Sequence, residues 1–481
     1  MSSGVGFRSE RGPVLVALML STALVAVDST IIATAVPSIV DDIGGFTEFP
    51  WLFSIYLLAQ AFTFPVYGKL ADLFGRKPVI LFGIGLFLAG SILCGIAWSM
   101  PALIAFRAVQ GAGAGAIQPV SITIVGDLYS LAERSKVQGY IASVWGMSAV
   151  IGPTLGGVFS EYASWRWIFF INIPLCALAA FMLTRKFTER VERGHPHIDY
   201  RGAALLTSGC TLLILGVLEG GQSWAWLSLP GLLILGCGGA LLVVFVLVER
   251  HVAEPVLPLW VFSRRLLLST SLVSAAVGAT VLGLTSYIPT FVQDVLGTGP
   301  VVAGFALATL TMGWPISASQ AGKLYLRIGF RTTALGGSVF VIAGTALLLL
   351  LDASSPVLQV AGTCFVIGFG MGLVAAPTLI AAQSSVGWSE RGVVTGNNLF
   401  CRSLGSAVGV AVFGAIANAT LRSRTGSASS RSSAAITTAT HHVFIAVLVV
   451  SLAMAVAVAC MPRKVEHPEL GPDVLTDAPA A

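Results

Sequence analysis

Charged side chains are scarce in this sequence: Asp, Glu, Lys and Arg together make up 10% of 481 residues, while 56% are hydrophobic and the mean hydropathy is +0.88. Soluble domains carry about 25% charged residues, so a soluble protein is excluded. The length is better divided by membrane spans of roughly 20 residues. The six histidines lie outside the apolar runs or, for His441 and His442, at the edge of one. All seven cysteines (Cys94, Cys176, Cys210, Cys237, Cys364, Cys401 and Cys460) fall within apolar runs without metal-ligand spacing, as small buried hydrophobes do. There is no His-Glu-x-x-His pair, no Gly-x-x-x-x-Gly-Lys-Ser/Thr phosphate loop and no haem-spaced histidine. An enzyme or an ATP-driven pump therefore lacks its chemistry here, and no cofactor or metal is implied. A net charge of +5 is spread singly over the ends of apolar runs and forms no basic face, which excludes nucleic acid as a partner.

What the chain has in abundance is apolar length. Fourteen runs are expected to span a membrane: 13–36, 50–67, 78–98, 101–126, 138–160, 166–183, 202–219, 229–248, 267–289, 301–321, 332–351, 357–380, 393–418 and 441–461. The first is too long for a signal-peptide core and lacks a small-residue cleavage site, so it is expected to be retained. An even number of spans puts both termini on one side. With the N-terminus inside, 21 of the 27 Lys and Arg fall in the cytoplasmic hairpins and termini; Arg166, Arg422, Arg424 and Arg431 lie outside, and Arg107 and Arg402 lie within spans. This bias predicts N-in, C-in topology. The outer segment 419–440, rich in Ser, Thr and Ala, is expected to be a flexible loop.

Between the second and third runs stands Gly68-Lys69-Leu70-Ala71-Asp72-Leu73-Phe74-Gly75-Arg76-Lys77, and a diverged copy, Gly322-Lys323-Leu324-Tyr325-Leu326-Arg327-Ile328-Gly329-Phe330-Arg331, follows the tenth. Four charges cannot rest in hydrocarbon, so the first copy is expected to be a short aqueous hairpin. The repeat indicates a duplicated plan. Leu326 and Phe330 stand where Asp72 and Arg76 do, so the first half keeps the charged chemistry.

Other segments add to this pattern. Asp28-Ser29-Thr30 lies in the first run and is followed by Ala35-Val36-Pro37-Ser38-Ile39. The fourth run holds Arg107-Ala108-Val109-Gln110-Gly111-Ala112-Gly113-Ala114-Gly115, and the fifth Gly146-Met147-Ser148-Ala149-Val150-Ile151-Gly152-Pro153-Thr154-Leu155-Gly156-Gly157. Trp165-Arg166-Trp167-Ile168-Phe169-Phe170-Ile171-Asn172-Ile173-Pro174 comes next. Taken in this order, over nearly the whole chain, they resemble the major facilitator superfamily and, within it, the fourteen-helix drug:proton antiporters of the multidrug efflux type. The resemblance implies an all-α integral membrane protein of two six-helix bundles with two inserted helices. On that plan residues 1–185 are the N-terminal bundle, 186–265 a cytoplasmic linker and the inserted pair, 266–463 the C-terminal bundle and 464–481 a cytoplasmic tail. It also implies a proton-coupled exporter of amphiphilic drugs or antibiotics in a bacterial plasma membrane, working by alternating access as a monomer among lipids, driven by the proton gradient with no cofactor.

The residues carry physical arguments of their own. Asp28 is the one carboxylate well inside a span, where burial costs several kcal/mol unless it is protonated or paired. Arg107 lies about 9 Å and Asp28 about 13 Å from the outer ends of their spans at 1.5 Å per residue, so the two can meet. A buried Arg that approaches and leaves would switch proton binding at Asp28; a static ion pair that only fixes packing is the alternative. Gly68 and Gly75 suit a tight turn, and Asp72 can accept hydrogen bonds at the start of the next helix or pair with Arg76. Asp72, Arg76, Lys77 and Asp127 form a candidate charge latch between the bundles at the inner gate, as the resemblance implies, or else a simple topological anchor. In the fifth run Ser148, Gly152 and Gly156 share one face for close packing, and Pro153 bends the helix; with Gly146 and Gly157 they make up the antiporter motif.

For the substrate the sequence offers only residue types. Tyr56, Gln60, Gln118, Trp145, Asn172 and Asn398 are candidate liners of an apolar, polyspecific cavity. The thirteenth run holds Asn397, Asn398 and Arg402 and no acid, so a neutral or monocationic amphiphile is expected rather than a dication. Glu161 and Glu219, near outer span ends, are candidates for a vestibule or plain boundary residues. An uptake symporter, an exporter of an endogenous lipid or metabolite, and a non-transporting receptor or scaffold remain as alternatives.

Overall fold

Backbone that crosses hydrocarbon must satisfy its N–H and C=O groups internally, and the elements of this chain follow that demand. The computed structural model describes residues 6–45, 48–189, 199–220, 224, 228–252, 255–425 and 433–465, and among them no β-strand is formed. The first half holds α1 (Gly12–Ile43), α2 (Pro50–Phe74), α3 (Arg76–Gly95), α4 (Met100–Leu128), α5 (Leu131–Tyr162), the short α6 (Trp167–Phe170) and α7 (Asn172–Lys186). Then come α8 (Tyr200–Glu219), α9 (Leu229–Glu249) and the short α10 (Trp260–Ser263). The second half holds α11 (Arg265–Thr290), which runs into a π-helical turn at Phe291–Val295, then α12 (Pro300–Ile328), α13 (Phe330–Leu348), α14 (Val357–Ser384), a 3₁₀ turn at Trp388–Glu390, α15 (Arg391–Thr425) and α16 (Ser433–Ala459).

Thirteen of the described helices are long and apolar enough to cross a membrane, with α6 and α7 together making one, Trp167–Lys186. The remaining expected span, 202–219, is α8, whose apolar stretch Arg201–Gly216 is shorter than these. Each half has its own apolar core. Buried residues from Val14 to Phe187 fill the first, and Leu266 to Met461 the second. A third cluster joins them, in which Leu206, Cys210 and Ile214 of α8 and Phe245 of α9 pack with Leu58 and Phe62 of α2 and with Leu399 and Phe400 of α15. The α8–α9 pair thus lies along the α2–α15 seam between the halves.

Two expectations are corrected here. The segment 68–77 is not an aqueous hairpin: α2 continues through Phe74 and only Gly75 separates it from α3. Arg76 is fully buried and Asp72 nearly so, because both charges find partners inside the protein instead of in water. The segment 419–440 is largely helical, since α15 runs on to Thr425 and α16 begins at Ser433; positions 426–432 lie outside the described residues, as do most of the 186–198 linker and the tail from 466.

The internal repeat is visible in the backbone. Gly75 (φ 94°, ψ 158°) and Gly329 (φ 84°, ψ 161°) occupy the same left-handed extended conformation at the same place in the two halves, each joining consecutive helices by one residue. This region is open only to glycine, and another residue there costs about 1–3 kcal/mol. Gly75→Ala and Gly329→Ala are each expected to lower the melting temperature of the purified protein by that amount of stability, whereas Gly336→Ala, whose added Cβ would meet open space, leaves it unchanged; equal melting curves for all three would contradict the assignment.

Candidate functional site

The Asp28 carboxylate is the centre of a closed polar cluster. Arg107 of α4 donates from Nη1 to Asp28 Oδ2 at 2.6 Å, with both side chains 1% exposed. Gln110, one turn further along α4, donates from Nε2 to Asp28 Oδ1 at 2.7 Å and to Ser91 Oγ at 2.8 Å, and its Oε1 accepts from Arg107 at 2.7 Å. Asn172, the first residue of α7, donates to Asp28 Oδ1 at 3.3 Å and to Ser91 Oγ at 3.2 Å. Arg107 also reaches the Leu52 carbonyl, and its guanidinium lies 4.1 Å above the Tyr56 ring. Glycine makes this approach possible. A Cβ on Gly90 would come within 2.6 Å of Gln110 Cα, and one on Gly111 within 2.4 Å of the Tyr56 carbonyl. The predicted meeting of Asp28 and Arg107 occurs, and Asn172 and Tyr56, proposed as cavity liners, belong to the same cluster. Gln110 and Ser91 were missed, although Gln110 lies three residues after Arg107 and so faces the same way on a helix.

Two residues beyond Asp28, Thr30 donates to the Ser148 carbonyl of α5 at 2.9 Å, and Thr34 to the Pro153 carbonyl at 3.2 Å. A Cβ on Gly152 would come within 2.0 Å of Thr30 Oγ1, and one on Gly156 within 2.3 Å of the Ile31 carbonyl. The small face of α5 is therefore spent on α1. Its other glycines turn elsewhere: Gly139 meets Ser319 of α12, Gly146 approaches Thr311 of α12 at 3.6 Å, and Gly157 faces open space, so it takes no part in the packing. At the far end of α1, Trp165 and Arg166 both donate to Asp42 Oδ2, at 3.0 and 2.6 Å. The Arg166 bond, then the Trp165 bond, holds the Asp42 carboxyl below its ordinary range.

The hydrogen bonds that join the two halves gather at the end where α2 turns into α3. Asp72 of α2 accepts from the backbone N–H of Gly392 at 2.9 Å and of Val393 at 2.8 Å, the free amides in the first turn of α15. Arg76 pairs with Asp72 at 3.0 Å and with Asp127 at 2.9 Å, donates to the Trp388 carbonyl and lies 3.7 Å from the Trp388 ring centre. Arg391 closes the circuit on Asp127 at 2.9 Å. Of the two roles the sequence offered Asp72, the pairing with Arg76 is the one formed; the start of α3 is capped instead by Glu189, which accepts from the N–H groups of Arg76 and Lys77 at 2.9 Å each. Lys77 is not in the latch, because its Nζ turns to the Thr184 carbonyl. Beside this circuit Arg134 of α5 donates to Ser384 at 3.2 Å and to the Gly126 carbonyl. The second copy of the hairpin works differently: Tyr325 stacks on Phe330 with ring centres 4.6 Å apart and gives its hydroxyl proton to the Leu131 carbonyl in the other half. At Gly68 and Gly392 the two backbones touch, a Cβ on either falling within 2.4 Å of the other's carbonyl.

Comparison with known proteins agrees with this architecture. Residues 18–410 match the Major Facilitator Superfamily. The chain belongs to that superfamily. Multidrug resistance protein 3 of Bacillus subtilis (strain 168) is 35% identical over 405 residues, 84% of this chain and 79% of that protein. Multidrug transporter protein MdtP of the same organism is 34% identical over 416 residues, 86% of this chain and 76% of that one. In fold, the chain is similar to the human organic anion transporter MFSD10 (TETRAN), with a TM-score of 0.63 at 16% identity over 92% of this chain and 99% of that one. The protein is thus a multi-pass membrane transporter and not an enzyme.

In this facilitator the remaining candidates for substrate contact are dispersed. Gln60 donates to Gln118 at 3.1 Å between α2 and α4, and Trp145 packs at the edge of the first core. Asn398 accepts from Ser274 at 3.0 Å and sits against α11. Glu161 is exposed at the end of α5, and the side chain of Glu219 lies outside the described residues. Arg402, half-buried on α15, lies 5.0 Å from the Trp314 ring centre on α12. Within the Asp28 cluster, Arg107→Ala strands a buried carboxylate and is expected to cost about 3–5 kcal/mol, whereas adding Asp28→Asn to that variant recovers most of the loss. Thermal melts of the single and double variants check this, and additive losses would refute the coupling.

Proposed function

We propose that this facilitator is a proton-coupled antiporter that exports amphiphilic drugs or antibiotics across the plasma membrane by alternating access. The observation that carries the reading is the Asp28 cluster, a carboxylate buried in the first helix and paired with a single arginine. Fourteen spans with both termini inside complete the proposed topology. On that topology the α2–α3 end is cytoplasmic, so the present conformation is closed to the cytoplasm by Asp72, Arg76, Asp127 and Arg391.

A proton arriving from outside neutralises Asp28, which removes the ion pair and leaves Arg107 with Gln110 and Leu52 as acceptors. The change is passed on by contact. Thr30, two residues along, is fastened to α5, and α5 in turn meets α12 of the other half at Gly139 and at Ser135, against which Gly322 is packed. A shift of α1 is thereby handed to the seam whose opening to the cytoplasm needs the latch released. The exchanged ion is a proton and the cargo a small amphiphile, with lipids as surroundings; no cofactor enters the cycle. The multidrug names of the two Bacillus relatives support the cargo class.

Asp28→Asn is expected to abolish pH-gradient-driven efflux from vesicles while expression and melting temperature stay near wild type, because the amide mimics the protonated acid. Active efflux at the wild-type rate in that variant would sink the proposal. Asp72→Asn and Arg76→Ala are expected to slow turnover several-fold with little change in ligand affinity, since they act at the gate. Arg327→Ala, in the copy without the acid, is expected to be milder. Rates in proteoliposomes together with equilibrium binding would decide, and weakened binding at normal turnover would contradict the gate assignment.

A further inference from the structure

The acids of the two clusters are each answered: Asp28 by Arg107, Gln110 and Asn172, Asp72 by two amides and Arg76, and Asp127 by Arg76 and Arg391. Arg402 is not. It stands eleven residues into α15 from Arg391, about 16 Å along the axis at 1.5 Å per residue, which is mid-membrane depth. Its neighbours on α15 are committed to packing, with Cys401 in the cluster that holds Cys210 of α8 and Gly405 against Ala275 of α11. The Arg402 side chain leaves that packing and lies over Trp314 of α12, a helix that packs mainly on α14 and α5. Among the described residues it has no hydrogen bond and no ion-pair partner, and the aromatic face is its one electrostatic contact.

A guanidinium stays charged at any working pH and carries five N–H donors in a planar fork. Such a group inside a span needs an acceptor, and an intramembrane charge without one marks a ligand pathway. A carboxylate, sulfonate or similar oxyanion fits the fork with two parallel hydrogen bonds, and the indole beneath gives a flat apolar wall for the rest of the molecule. We propose that Arg402, lying over Trp314 with no acid to answer it, binds the anionic group of an amphiphilic cargo. This rests on the transport reading above and gives the cargo a charge. The expectation of a neutral or monocationic cargo weighed the acids alone; the unanswered cation reverses it.

Binding to purified protein in detergent, without a gradient, tests the charge preference apart from proton coupling. The probes are N-dansylglycine (anionic), dansylglycinamide (neutral) and dansyl-ethylenediamine (cationic), which share one apolar body. The wild type is expected to bind the anion about tenfold more tightly than the amide, as a bidentate charged pair allows. Arg402→Gln is expected to lose that preference with amide binding unchanged, and Arg402→Lys to keep part of it. Equal binding of anion and amide by the wild type, a preference for the amine, no binding of N-dansylglycine, or a preference that survives Arg402→Gln would each overturn the proposal. The wild-type comparison decides even where a variant fails to fold. An anion preference together with efflux that ignores the pH gradient would overturn the coupling reading and leave this one standing.

Discussion

A carboxylate taken out of water must be given partners by the protein, and in a chain this apolar that demand organises the fold. Asp28 draws together α1, α3, α4 and α7, since the side chains that touch it or share its partners come from all four. Asp72 and Asp127 do the same for α2, α4 and α15. Removing Asp127 would leave Arg76 and Arg391 facing each other, which is more costly than the loss of a single hydrogen bond. The glycines serve the same end, because the side chains meet only where backbones come close enough.

Much of this was legible from the residues. Apolar runs gave the helices, since length and hydropathy are what a bilayer selects, and the 68–77 and 322–331 copies gave the duplication. The meeting of Asp28 and Arg107 followed from depth along two spans. What escaped were partners chosen by tertiary contact between distant segments: Gln110 and Ser91 around Asp28, and Trp388, Arg391 and Glu189 around Arg76. Asp72 pairs with Arg76 as one of its two readings had it, but its amide partners were hidden for a related reason. A carboxylate beside a helix start is a sound cap for it, but α3 has Glu189 for that, which freed Asp72 for a helix more than 300 positions away. Lys77, grouped with these charges by its place in the sequence, turns instead to the Thr184 carbonyl.

The two halves have kept one backbone and filled it differently. Gly75 and Gly329 make the same turn, yet one is followed by a buried arginine in an ion-pair circuit and the other by a phenylalanine stacked on Tyr325. The ionic seam is held by charges that must be desolvated together, the aromatic one by dispersion and a single hydroxyl. The two flanks of the contact between the halves are therefore held by two different kinds of interaction. The α8–α9 pair packs against the ionic flank, alongside α2 and α15.

On the α15 side, the groups that hold Asp72 belong to the peptide chain itself. Natural variation at position 393 cannot delete an amide proton unless proline appears there, so that position is open to drift while its function persists. Position 392 has no such freedom, because any side chain would meet Asp72 and the Gly68 carbonyl. Across descendants of this chain, change at the seam is thereby confined unevenly: the acid and the facing glycines are frozen, and the residue next to them is left to wander.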